Sequence, residues 1–164
     1  MKKNSILFFL FIWIGLPVWA QYKTLKDISY VPVSDTDAYR KERCKLDLYY
    51  PEQQKGFATI VWFHGGGLEG GGKEIPPVFQ GRKIAVVGVN YRLSPRATHP
   101  AYIDDAAAAV AWVMKHIGEY GGDPTRVYVA GHSAGGYLTL MVGLDKAYLA
   151  RYGEDADRLA GLFP

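Results

Sequence analysis

Ser133 stands midway between Gly131 and Gly135 in the run Gly131-His132-Ser133-Ala134-Gly135, directly after the apolar stretch Arg126-Val127-Tyr128-Val129-Ala130. A serine hydroxyl is a weak nucleophile until its proton is removed and its oxygen is held clear of the backbone. Glycines two residues before and after it lack Cβ atoms and so permit a sharp strand-to-helix turn, which projects the hydroxyl past the carboxyl edge of a sheet. The helix that starts behind it offers the positive end of a dipole and, at Ala134, an amide without an intrahelical partner. The chemistry implied is nucleophilic attack on a carbonyl carbon. The spacing alone also fits a glycine-rich packing turn, because glycine and serine are common residues.

A second run, His64-Gly65-Gly66-Gly67, follows another apolar stretch, Thr59-Ile60-Val61-Trp62-Phe63. The amides of Gly65 and Gly66, together with that of Ala134, could converge on a cavity and hold the negative charge of a tetrahedral oxyanion. A flexible loop is the plain alternative, and a phosphate cradle is a rival use of clustered amides. The phosphate use fails on spacing, since Lys73 is not followed by Ser or Thr and GxxxxGK[ST] is absent. A dinucleotide site fails as well, because no GxGxxG opens a helix after this strand.

The elements that must carry these runs follow from hydrophobic periodicity. Residues 59–63, 84–89 and 126–130 are continuous apolar runs rich in β-branched residues, as in parallel strands covered on both faces. Cys44 to Tyr50 alternates, with Leu46, Leu48 and Tyr50 on one side, which predicts a half-exposed strand at a sheet edge. Val110, Val113, Met114 and Ile117 mark the buried stripe of a helix over about 102–117, with Asp104 and Asp105 at its positive end and Lys115 and His116 at its negative end. A further helix runs from Ser133 to about Leu144, burying Leu138, Met141 and Val142, and the apolar run 159–164 is strand-like. Strands alternating with helices predict an α/β fold: a mostly parallel sheet, flanking helices and three α/β/α layers.

In chain order, His64-Gly65-Gly66-Gly67, Asn90-Tyr91-Arg92-Leu93-Ser94-Pro95, His99-Pro100 with Asp104-Asp105, Asp123-Pro124-Thr125-Arg126-Val127, and Gly131-His132-Ser133-Ala134-Gly135-Gly136 resemble the α/β-hydrolase carboxylesterases. The nearest likeness is to the hormone-sensitive-lipase-like and BD-FAE-like families, and it runs from about Leu46 to the C-terminus. The resemblance implies the N-terminal portion of an α/β-hydrolase fold, with Ser133 as the acyl-accepting nucleophile. It further implies Gly65, Gly66 and Ala134 as oxyanion donors, His64 as a brace for the loop, and no metal or organic cofactor. Gly67, Gly131 and Gly135 are structural positions of the two motifs.

Acyl transfer also needs a general base and an orienting carboxylate, which in such hydrolases follow the serine in the order acid, then histidine. No histidine follows Ser133. His132 is adjacent to it, where side chains at a strand end diverge; His116 lies at a helix end, and His99 is a loop residue. Asp145, Glu154, Asp155 and Asp157 follow the serine but come too early for the family's acid. The expectation is therefore a truncated N-terminal part of an esterase, a nucleophile and oxyanion hole without the base. A complete small α/β domain that binds a ligand without catalysis, or a pseudo-hydrolase partner completed by another chain, are the alternatives.

Composition bounds the rest. The chain has 164 residues, 49% hydrophobic and 21% charged, which suits a single globular domain and not a disordered chain. Met1 to Ala20 pairs Lys2 and Lys3 with an apolar run too short to span a bilayer, as in a signal peptide cleaved after Ala20. Residues 21–164 would then form the domain, secreted or periplasmic. The net charge of +3 falls to about +1 without the two leader lysines, too little for nucleic-acid binding. The single cysteine, Cys44, rules out an internal disulfide and is expected to be buried and not nucleophilic. The expected partner is a small-molecule or polysaccharide-linked ester, with the oligomeric state open.

Overall fold

The computed structural model describes residues 21–164; the expected leader, residues 1–20, lies outside the described residues. Six strands form one sheet: β1 (Tyr22–Ser29), β2 (Lys45–Pro51), β3 (Phe57–Phe63), β4 (Ala85–Val89), β5 (Gly122–Gly131) and β6 (Gly161–Phe163), in the order β1-β2-β4-β3-β5-β6. The pairs β3–β4, β3–β5 and β5–β6 are parallel, whereas β2 pairs antiparallel with both β1 and β4. The sheet is thus mixed, with β2 alone running against the rest. Among the described residues four α-helices accompany it: α1 (Ala38–Arg43), α2 (Ala101–His116), α3 (Ala134–Leu144) and α4 (Lys146–Ala150).

Val61, Val87 and Val129 lie in register across β3, β4 and β5, and all three are fully buried. Each such side chain contributes about 1.5–3 kcal/mol through the water it sheds. The helices α2 and α3 pack on this face and on each other. The small residues Ala106 to Ala109 let α2 approach closely, and its stripe of Val110, Val113, Met114 and Ile117 is buried as the periodicity predicts. On α3, Leu138 and Val142 are buried, but Met141 is only partly so.

The opposite face carries a thin third layer made by the segment 64–84. Trp62 donates from Nε1 to Glu74 Oε1 at 3.1 Å and meets Phe79 edge-on at 5.7 Å between ring centroids. Gly88, beside Trp62 in the register, lies so close to the Glu74 backbone that a Cβ would collide with it.

Two sequence expectations need correction. β2 is not an edge strand: β1 pairs along its outer side. β1 has no clear period in the sequence: only Leu25 and Ile28 pack against the core, and a bulge between them sets them three positions apart instead of two, while Tyr22 lies on the other face, stacked on Tyr49. Asp105 does not serve the helix dipole at the surface. It is fully buried and accepts from Arg40 Nε (2.9 Å), Arg92 Nε (2.7 Å), Arg92 Nη2 (2.8 Å) and the Arg92 amide (3.0 Å). Arg40 belongs to α1, a helix with no buried residue and hence no apolar stripe to announce it. Cys44 is free and buried, and burial pushes its thiol up to about 12, which leaves it inert.

Candidate active site

β5 ends at Gly131 and α3 begins at Ala134, so Ser133 occupies the turn between them, exposed to solvent. Its backbone sits at φ 55°, ψ −113°, a left-handed conformation that strains any residue with a Cβ. The flanking glycines explain how such a turn is tolerated. A Cβ on Gly131 would collide with the Gly135 backbone, and one on Gly135 would collide with the Phe63 carbonyl. The turn is closed by the His132 amide donating to Phe63 O (3.2 Å) and the Gly135 amide donating to His132 O (2.8 Å).

The glycine loop after β3 lies against this turn. A Cβ on Gly65 would stand 3.5 Å from Ser133 Cβ and 2.9 Å from His132 Nδ1. Two hydrogen bonds orient the loop's peptide planes. The Tyr91 hydroxyl donates to His64 O at 2.8 Å; because a trans peptide points its C=O and N–H in opposite directions, this bond aims the Gly65 amide away from Tyr91. In the same way His64 Nδ1 holds Gly65 O at 2.6 Å and aims the Gly66 amide. Gly66 (φ +116°) and Gly67 (φ +65°) adopt conformations that favour glycine, and the amides of Glu69 and Gly70 both return to Gly66 O at 3.0 Å. Among the described residues, the amides of Gly65, Gly66 and Ala134 donate to no group of the chain. Such free, fixed donors beside a serine suit a developing oxyanion.

His64 is buried and stacks on Tyr91, with ring centroids 4.5 Å apart. A carbonyl only accepts, so Nδ1 carries the proton; Nε2 is buried with no partner. Burial holds this imidazole below its ordinary 6.5, against the opposing pull of the Gly65 carbonyl. The unfolded chain therefore binds the proton more readily, and the stabilising contribution of the neutral ring is full above pH 6.5 and lost as pH falls through the lower folded-state value. Denaturant midpoints are expected to drop as pH falls below 6.5, with His64→Gln removing that component. An identical acid slope in the variant would refute this.

The other histidines are placed elsewhere. His99 is exposed, His132 is exposed beside Gly65, and His116 ends α2, bonded to Glu119 at 2.8 Å with its ring tilted against Trp112. Because α2 runs back from the carboxyl ends of the strands, His116 lies at the opposite edge of the sheet from Ser133. The acids after the serine serve local structure: Asp145 caps α4, Asp155 bonds the Asp157 amide, Asp157 pairs with Lys146, and Glu154 pairs with Arg158. Among the described residues no group of three or more His, Cys, Asp or Glu side chains could hold a metal ion, and no helix is long and apolar enough to cross a membrane. Tyr91, which aims the Gly65 amide, stands in the Asn90-to-Pro95 run that carries the family resemblance, but the sequence assigns it no role of its own. Its contact with His64 spans 27 positions and leaves no local signal.

A mixed sheet, a serine elbow between strand and helix, and a glycine loop facing it define an α/β-hydrolase. The BD-FAE family profile matches residues 46–155, and the chain belongs to this family. It is 42% identical over 106 residues to carboxylesterase NlhH of Mycobacterium tuberculosis, covering 62% of this chain and 32% of the relative. With human arylacetamide deacetylase-like 2 it shares 34% identity over 137 residues, covering 77% of this chain and 31% of that protein. The structure titled "Bacterial Heroin Esterase" superposes with a TM-score of 0.63 at 30% identity, over 82% of this chain and 41% of the other. The chain thus spans about a third of the length of these curated relatives.

Proposed function

We propose that the protein is a serine carboxylic ester hydrolase, with Ser133 as nucleophile and Gly65, Gly66 and Ala134 as oxyanion donors. The observation that carries the reading is the strained Ser133 turn, with Gly65 packed against it. Ser133 Oγ attacks the ester carbonyl carbon while a general base takes the hydroxyl proton. The carbonyl electron pair moves onto oxygen, where the amides hold it; the pair then returns, the C–O bond to the alcohol breaks, and the alcohol leaves with the proton. Water repeats the sequence on the acyl-serine and releases the acid. The base and its orienting acid belong, on this reading, to the part of the fold that the longer relatives have and residues 21–164 do not span. A small acyl or aryl ester, including one carried on a polysaccharide, suits the family likeness, and the Met1–Ala20 pattern suits an exported enzyme.

The test is hydrolysis of p-nitrophenyl acetate by the full-length protein, with a fluorophosphonate located on Ser133 by mass spectrometry. Absence of both, in a folded protein, would favour a non-catalytic ligand-binding domain. Gly66→Ala is expected to lower kcat by about 10²–10³-fold, the effect of spoiling one oxyanion donor, because its Cβ would collide with the Gly70 carbonyl. Unchanged kcat in that variant would remove Gly66 from the site.

A further inference from the structure

We propose that Arg43, the last residue of α1, is a positioning residue for the oxyanion amides, an inference that rests on the serine-hydrolase reading above. Its guanidinium donates from Nε to the Tyr91 carbonyl at 3.1 Å and from Nη2 to the Gly71 carbonyl at 2.7 Å. These two acceptors stand on either side of the His64–Gly65–Gly66 turn. On one side the Tyr91 ring stacks on His64 and its hydroxyl holds His64 O. On the other, Gly71 (φ +94°) runs so close that a Cβ there would collide with the imidazole and with Gly65 O. One cation therefore grips both walls of the slot in which the peptide planes of Gly65 and Gly66 are set.

Arg43 has a firm base from which to do this. One turn earlier on α1, Arg40 binds Asp35, Asp104, Asp105 and the Tyr152 hydroxyl. Arg92, next to Tyr91, binds the same Asp105, so α1 and the segment at Tyr91 share a single anchor. The Lys73 amide, donating to Asn90 Oδ1 at 2.6 Å, adds a second tie between the glycine loop and that segment. Without Arg43 the walls can separate and both amides lose their aim. The loss falls on transition-state binding and not on the ground state, because the oxyanion forms only on the way to the tetrahedral intermediate.

The experiment is Arg43→Met in the full-length protein, read by steady-state kinetics on p-nitrophenyl acetate and by amide hydrogen exchange. The expected result is kcat lower by about 10- to 100-fold, the effect of displacing a site by up to an ångström, with KM within about twofold of wild type. Exchange in residues 64–72 should be at least about tenfold faster, with the remaining segments and the thermal midpoint unchanged. Unchanged kcat, or a lower kcat without faster exchange in 64–72, overturns the proposal. If the midpoint also falls, Arg43→Lys decides: an ammonium can reach one of the two carbonyls and should recover part of kcat, and no recovery overturns the proposal. A wild-type protein without Ser133-dependent turnover would defeat the hydrolase reading instead, while exchange in 64–72 would still report whether Arg43 holds the loop.

Discussion

Ser133→Ala is expected to lower the esterase kcat of the full-length protein by about 10⁴- to 10⁶-fold, the range found when the nucleophile of a serine triad is removed. The size of the effect follows from what the variant keeps and what it loses. The turn at φ 55° remains, because alanine carries the same Cβ and bears the same strain. The amides of Gly65, Gly66 and Ala134 also remain, so substrate binding and some oxyanion stabilisation persist. The covalent route does not, and attack by water must replace an oxygen already held at the carbonyl. Initial rates with p-nitrophenyl acetate check this, together with loss of fluorophosphonate labelling. A variant that retains a tenth of the wild-type rate would end the assignment of Ser133 as nucleophile.

Asp105→Ala is expected to destabilise the fold by about 3–5 kcal/mol, the effect of breaking a buried ion pair from one side. Asp105 is fully buried, and the two arginines that bind it are mostly shielded, with side-chain exposures of 17% for Arg40 and 13% for Arg92. Burial works against the charge on both guanidiniums, but it is outweighed around Arg40 by Tyr152, Asp105 and Asp104 and around Arg92 by Asp105, so each is raised above its ordinary value. Alanine at 105 leaves two cations close together with four donor contacts unmet. Asp105→Asn keeps a carbonyl acceptor and should fall between alanine and wild type. Urea denaturation measures the difference; a loss below about 1 kcal/mol for Asp105→Ala would show that solvent reaches these arginines and that Asp105 is not the anchor.

Most of the site scaffold was legible before any coordinates. The strands 59–63, 84–89 and 126–130 and the helix over 102–117 are read from apolar runs and a clean stripe, and the structure has them as β3, β4, β5 and α2 within a few residues. The runs at 64–67 and 131–135 announce themselves because glycine is the one residue whose absence of a side chain is visible as a letter. The collisions that a Cβ would cause at Gly66, Gly131 and Gly135 are the physical content of that signal. The resemblance to BD-FAE-like carboxylesterases rests on the same runs, and the family match from 46 to 155 agrees with it.

Local pattern therefore determined which segments form the sheet's centre, where the serine turns out of it, and which loop carries unpaired amides, since each depends on residues a few positions apart. Tertiary structure alone decided what steadies those parts. Tyr91 meets His64 across 27 positions, Arg43 meets Tyr91 across 48 and Gly71 across 28, and Arg40 meets Asp105 across 65. Hydrogen bonds and ion pairs of that reach have no period along the chain. They arise only when folding has brought the strand ends, the short helix α1 and the glycine loop to one edge of the sheet.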